Sequence, residues 1–211
     1  MRIISHRGYW KTPAERNTAT AFRRALSHGF GIETDLRDFG RQLVISHDSP
    51  DSSAMPFETF LDLYQRFGHG ETLALNVKAD GLQERALTAL TELSIKEYFF
   101  FDMSVPDALE YKRRELRFFS RHSEIEPQPA LYDAAVGVWM DCFFDDWIRP
   151  EDVRAHLAAG KEVCICSPEL HGRNPENFLN QLADTELPDE PFLALCTDEP
   201  EKARNRFTGG N

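Results

Sequence analysis

The stretch "NTATAFRRALSHGFGIETDL", residues 17–36, holds the step that decides the fold. Its first part repeats apolar residues at helical spacing, with Ala21, Phe22, Ala25 and Leu26 on one face. It closes at Gly29, a residue suited to the left-handed turn that ends helices. Its second part, Gly31–Leu36, reads as a strand. Upstream, "RIIS" at Arg2–Ser5 is a short β-prone run. The three pieces make a strand–helix–strand unit, which calls for parallel strands joined by a crossover.

The same step repeats to the end of the chain. Strand-like runs recur at "TLALNV" (72–77), "YFFFDM" (98–103), "RFFS" (117–120), "VGVWMD" (136–141), "EVCICS" (162–167) and "FLALCT" (192–197). Several are apolar without alternation, as buried parallel strands are. Helical segments lie between them, at residues 57–68, 82–93, 106–116, 150–160, 175–184 and 200–207. Four of these open on a proline suited to a first helical turn. The weakest helix is the connection around "PALYDAA" (129–135). Eight strands alternating with helices in 211 residues predict an α/β chain folded as a small (β/α)8 TIM barrel, one domain spanning residues 1–211. A further run, "QLVISHD" (42–48), follows "IETDLRD" too closely for a crossover helix. It predicts an extra hairpin strand after strand two, turning at "DFGR". A doubly wound open sheet is the rival, but no glycine-rich phosphate turn follows the first strand.

A net charge of −11 argues against a nucleic-acid backbone or an anionic membrane as the main partner. No apolar run reaches the roughly 20 residues that span a bilayer. The N-terminus enters a strand at once, without a secretory pattern, and a cytoplasmic location is expected. Cys142, Cys164, Cys166 and Cys196 all lie in or beside apolar runs and read as reduced core thiols.

In a barrel, reactive groups collect at the C-terminal ends of strands. His6 and Arg7 end strand one. Glu33 and Asp35 stand two apart on strand two, so their carboxylates point the same way. Such a pair repels itself unless a cation or protons intervene, and its hard oxygens suit Mg²⁺ or Ca²⁺. His47 and Asp48 end the hairpin's return strand. Asn76 and Lys78 repeat the spacing of two at the end of strand three.

This set resembles the glycerophosphodiester phosphodiesterase family, within the phosphatidylinositol-specific phospholipase C-like barrels. The resemblance rests on "HRG" (6–8), "NTATAF" (17–22), "GIETDLRD" (31–38), "VISHD" (44–48), "NVK" (76–78) and "CTDEP" (196–200). It implies a metal-dependent phosphodiesterase that takes a small glycerophosphodiester-like substrate to glycerol 3-phosphate, or a related phosphomonoester, and an alcohol. It makes His6 and His47 the acid–base pair, and Arg7 and Lys78 the phosphate-binding cations. Glu33, Asp35 and Asn76 become ligands of one divalent ion, Mg²⁺ or Ca²⁺. It also implies attack by the substrate's own neighbouring hydroxyl, through a cyclic phosphate. A lyase stopping at that cyclic phosphate, or a barrel that binds a phosphometabolite without turnover, are the alternatives.

Two positions depart from the family pattern. Arg16 stands where P-E-N-T has its glutamate, with Glu15 displaced by one. Asn76 replaces a third metal carboxylate, which lowers the charge of the site, and Asp102 at the end of strand four is a candidate to compensate. The insertion "SPDSSAMPF" (49–57) is brief and predicts an open cleft. Among the other ionisable residues, His28, His69 and His171 precede glycines, and His156 lies in a helix; all four read as solvated. His122, Glu124, Glu126, Trp139 and Asp141 are candidates for the pocket wall.

Overall fold

The computed structural model describes residues 1–208. The chain begins with β1 (Arg2–His6) and divides into two compact units. One unit runs from His6 to Phe118; the other joins Met1–Ser5 to the chain from Phe119 onward.

The His6–Phe118 unit holds β2 (Gly31–Phe39), β3 (Gln42–Ile45), β4 (Met55–Pro56), β5 (Leu73–Val77) and β6 (Tyr98–Phe101). The helices α1 (Ala19–Ser27), α2 (Phe57–Phe67), α3 (Gln83–Glu92) and α4 (Val105–Arg113) belong to it. β2 pairs in parallel with β5, and β5 with β6. The outer half of β2 pairs antiparallel with β3, from Leu36 opposite Ile45 to Phe39 opposite Gln42. The extra hairpin is therefore present, and β3 pairs antiparallel in turn with the two-residue β4. Thr18 caps α1 by accepting from the Ala21 N–H, which fixes where the helix starts. The apolar face read from sequence, Ala21, Phe22, Ala25 and Leu26, is fully buried. Phe22 meets Phe60 of α2 edge-on, with ring centroids 4.7 Å apart.

The other unit holds β7 (Phe119–His122), β8 (Gly137–Met140), β9 (Glu162–Cys166) and β10 (Leu193–Thr197), with α5 (Pro150–Ala158), α6 (Glu176–Ala183) and α7 (Pro200–Thr208). Its strands run parallel in the order β7, β8, β9, β10, β1. Val138, Met140, Val163, Ile165, Leu193 and Leu195 form its core with Phe178, Leu179 and Leu182 of α6. All four cysteines are buried and outside any disulfide.

The order β1-α1-β2-(β3-β4)-α2-β5-α3-β6-α4-β7-β8-α5-β9-α6-β10-α7 is that of a (β/α)8 chain with one hairpin added. One expected helix does not form. The "PALYDAA" connection is a set of turns, because Leu131 sits in the left-handed region at φ 56°. There the N–H groups of Ala134 and Ala135 bond back to Leu131 O and go no further. Among the described residues, no helix is long and apolar enough to cross a membrane.

Candidate active site

The chain leaves β1 by an unusual turn. Arg7 and Gly8 are consecutive left-handed residues, at φ 55° and 80°. A Cβ on Gly8 would lie 2.9 Å from both Ala21 Cβ and Phe22 Cδ1, so α1 packs against backbone that only glycine allows. The turn delivers the Arg7 N–H to Glu33 Oε2 at 3.1 Å. It also sets His6 Nε2 3.9 Å from that same oxygen.

Glu33 and Asp35 point inward from β2 and are almost wholly buried. Asp35 lies opposite Asn76 of β5 in the parallel register. Arg7 Nε stands 3.3 Å from Asp35 Oδ2, and Lys78 Nζ 3.5 Å from Oδ1. The cluster thus sets two carboxylates against two permanent cations, before His6 is counted. Burial first and the charge of Asp35 second push the Glu33 carboxyl up to about 7, against the opposing pull of His6, Lys78 and Arg7.

Sequence reading named Asn17 only as part of a motif, yet Asn17 orders the site. Its Nδ2 donates to Asp35 Oδ2 at 2.8 Å, and its Oδ1 accepts from the Thr34 hydroxyl at 2.9 Å. Its own backbone is left-handed, at φ 56°, which asparagine tolerates better than most residues. The signal was available: an asparagine immediately before an N-capping threonine, in a motif that carries the resemblance.

Asn76 donates from Nδ2 to Glu33 Oε1 at 3.3 Å. Two buried oxygens, Asp35 Oδ1 and Asn76 Oδ1, accept no hydrogen bond. Asn76 Oδ1, and Asp35 Oδ1 met by the Lys78 ammonium alone at 3.5 Å, sit beside a desolvated carboxylate pair; such oxygens are the donor set a hard divalent cation takes, so these residues fit a metal.

The remaining candidates separate. His47 follows β3, whose end is tied to β2 by the Ser46 N–H donating to Asp35 O. Its ring, however, pairs with Asp48 Oδ1 at 2.8 Å and is well exposed. Asp102 is left-handed, at φ 67°. Arg16 lays its guanidinium over the Trp10 ring, while Glu15 is taken up by Arg24 and the Lys11 N–H.

In the other unit, Glu124 accepts the N–H groups of Phe143, Phe144 and Asp145. It is anchored to a loop, not free to meet a ligand. His28 and His69 are exposed as expected, but two other histidines are not. His156 is buried, bridging His122 Nδ1 and the Tyr132 hydroxyl at 2.9 Å each. His171 Nε2 lies 2.6 Å from Asp141 Oδ1. Both partners are remote in sequence, and that distance concealed the pairing.

No protein-family model and no curated protein sequence matches the chain. Solved structures do. A protein assigned as a glycerophosphodiester phosphodiesterase, from Galdieria sulphuraria, superposes with a TM-score of 0.78 at 19% identity, over 98% of this chain and 97% of that one. The glycerophosphodiester phosphodiesterase of Agrobacterium tumefaciens gives 0.73 at 16% identity, with 99% of each chain covered. An Oleispira antarctica phosphodiesterase, solved with its product sn-glycerol 3-phosphate, gives 0.69 at 18%, over 99% of this chain and 97% of that one. Over nearly its whole length, the chain has the fold of the glycerophosphodiester phosphodiesterases.

Proposed function

We propose that the chain is a metal-dependent phosphodiesterase, hydrolysing a small glycerophosphodiester to glycerol 3-phosphate, or a related phosphomonoester, and an alcohol. The observation that carries this is the buried Glu33–Asp35–Asn76 group, with two oxygens that accept no hydrogen bond and His6, Arg7 and Lys78 around it. Glu33, Asp35 and Asn76 would hold one Mg²⁺ or Ca²⁺. When bound, that ion supplies positive charge to a phosphoryl oxygen. Arg7 and Lys78 add fixed charge where the phosphodiester's own negative charge builds. Asn17 holds Asp35 in place by its 2.8 Å hydrogen bond. His6, beside the carboxylates, and His47, on the hairpin's return strand, divide the two proton transfers, one taking and one giving. His47 must turn from Asp48 to do so, and its exposure leaves it free to turn. Four buried cysteines outside any disulfide suit a reducing, cytoplasmic setting.

The test is release of glycerol 3-phosphate from a panel of glycerophosphodiesters, with Mg²⁺, with Ca²⁺ and in excess chelator. Metal-dependent release supports the reading. Full release in chelator would remove the metal from it. Asn76 in place of a carboxylate favours a second reading, a barrel that binds a phosphometabolite without turnover; tight binding of glycerol 3-phosphate with no release from any diester would support that one.

A further inference from the structure

A second group of ligating side chains lies in the other unit, with no part in the chemistry above. Asp141 directly follows β8, Cys166 ends β9, and His171 ends the short 3-10 helix Pro168–His171. β8 and β9 are parallel with Met140 opposite Ile165, so Asp141 and Cys166 are the next pair along. His171 Nε2 stands 2.6 Å from Asp141 Oδ1 and 3.5 Å from Cys166 Sγ. All three ligand atoms fall within 4.8 Å of one another.

A thiol, an imidazole and a carboxylate also make up nucleophilic triads, but the geometry here is different. A relay uses the two ring nitrogens separately, one toward the acid and one toward the nucleophile. Here the same nitrogen, Nε2, faces both the carboxylate and the thiol. Three potential ligand atoms, one each of O, N and S, converge on one point.

We infer that Asp141, Cys166 and His171 form a site for a thiophilic divalent cation of the zinc class, distinct from the Glu33–Asp35–Asn76 group. The mixed S, N and O donor set matches that ion and not Mg²⁺ or Ca²⁺. Bonds of about 2.0–2.3 Å put tetrahedral ligand atoms roughly 3.3–3.8 Å apart. Opening the His171–Asp141 contact by somewhat under 1 Å (about the width of a rotamer adjustment) reaches that spacing. The carboxylate is already steadied by the Cys142 N–H at 3.0 Å and Trp139 Nε1 at 3.3 Å. Such outer partners orient a ligand before metal arrives. Glu169, in the same short helix, is not a fourth ligand, since Ser167, Thr197 and the Asp198 N–H occupy it. The fourth position falls on the side of His171, whose side chain is 24% exposed, and takes water or an incoming anion. Binding exchanges the Cys166 S–H bond for a sulfur–metal bond and sends the proton to solvent; nothing is oxidised or reduced.

The experiment uses the full chain, reduced and stripped of metal, with Co²⁺ as a visible probe and Zn²⁺ as its competitor. One equivalent of Co²⁺ should raise a thiolate-to-metal absorption band. Zn²⁺ should abolish that band, and excess Mg²⁺ should not. Cys166→Ser should remove the band, and His171→Ala should weaken Co²⁺ binding about tenfold or more. Glu33→Gln should keep the band. His171 is the least buried of the three ligands, so its variant informs even if Cys166→Ser fails to fold. Absence of a thiolate band in the reduced protein would overturn the proposal. So would a band that survives Cys166→Ser, unchanged affinity in His171→Ala, or a band lost in Glu33→Gln.

Discussion

Asn76 donates its amide hydrogen to Glu33 Oε1 across 3.3 Å and leaves its own Oδ1 without a donor. A neutral residue thus does two jobs at the carboxylate pair: it relieves Glu33 and offers an oxygen. Asn76→Asp would end the first and strengthen the second. In chelator the variant loses a hydrogen bond and gains a like charge beside Glu33, an expected cost of about 1–3 kcal/mol. For a chain of this size that lowers Tm by about 2–4 °C per kcal/mol. With Mg²⁺ or Ca²⁺ the order reverses, and affinity rises by about tenfold or more. Melting curves and calorimetric titration check both halves. Unchanged Tm in chelator together with unchanged affinity would mean that Asn76 does not face the metal. Turnover need not follow affinity, because a more neutralised ion is a weaker Lewis acid.

Replacing either histidine tests the proton transfers. His6→Ala and His47→Ala should each lower turnover by about 10²-fold or more with the fold intact. Near-normal rates in both variants would dismiss the pair. A loss in His6→Ala alone would keep His6 and leave His47 as a surface residue paired to Asp48.

Gly8→Ala tests the turn that presents His6 and Arg7. The added methyl meets Ala21 and Phe22 at 2.9 Å on a backbone of φ 80°, and destabilisation of about 1–3 kcal/mol is expected. Because the Arg7 N–H reaches Glu33 through this turn, activity should fall even at temperatures where the variant is fully folded. A stable variant with full activity would show that α1 yields and the turn does not matter.

Glu124 gives a pH-dependent prediction. Burial alone would raise its pKa, but the N–H groups of Asp145, Phe144 and Phe143 together outweigh that and hold it below the ordinary 4.5. A carboxyl depressed in the folded state contributes stability that is whole above 4.5 and is lost as pH falls through the lower native value. Glu124→Gln should therefore cost about 1 kcal/mol near neutrality, with the gap to wild type closing in acid. Amide exchange at residues 143–145 should quicken in the variant at neutral pH. Curves that stay parallel down to strongly acidic pH would show that the charge contributes nothing.

What could be read from the sequence follows the range of the interactions. The Glu33–Asp35 pair was legible because two-residue spacing on a strand fixes side-chain direction. The β2–β3 hairpin was legible because so few residues separate its strands. The missing helix after β7 was already the weakest in the sequence, and the left-handed Leu131 that prevents it is not written in composition. His171 and His156 were misread as solvated because their partners, Asp141 and His122, lie 30 and 34 residues away. Local pattern carries no trace of such pairs. Asn17 shows the opposite case, a polar residue whose motif was noticed and whose contact with Asp35 only the fold supplies.

The loop between β3 and β4 has a further consequence. Its base is closed by Ile45 paired with Met55, and its outer residues are mostly exposed. Doubling the length of such a loop costs only about 0.6 kcal/mol of closure entropy. Material inserted between Asp51 and Ala54, beyond His47 and Asp48, would leave the strand ladder and the carboxylate pair untouched. The scaffold thus carries a natural grafting point, where a longer segment could be exchanged like a cassette while the Glu33–Asp35 pair stays as it is.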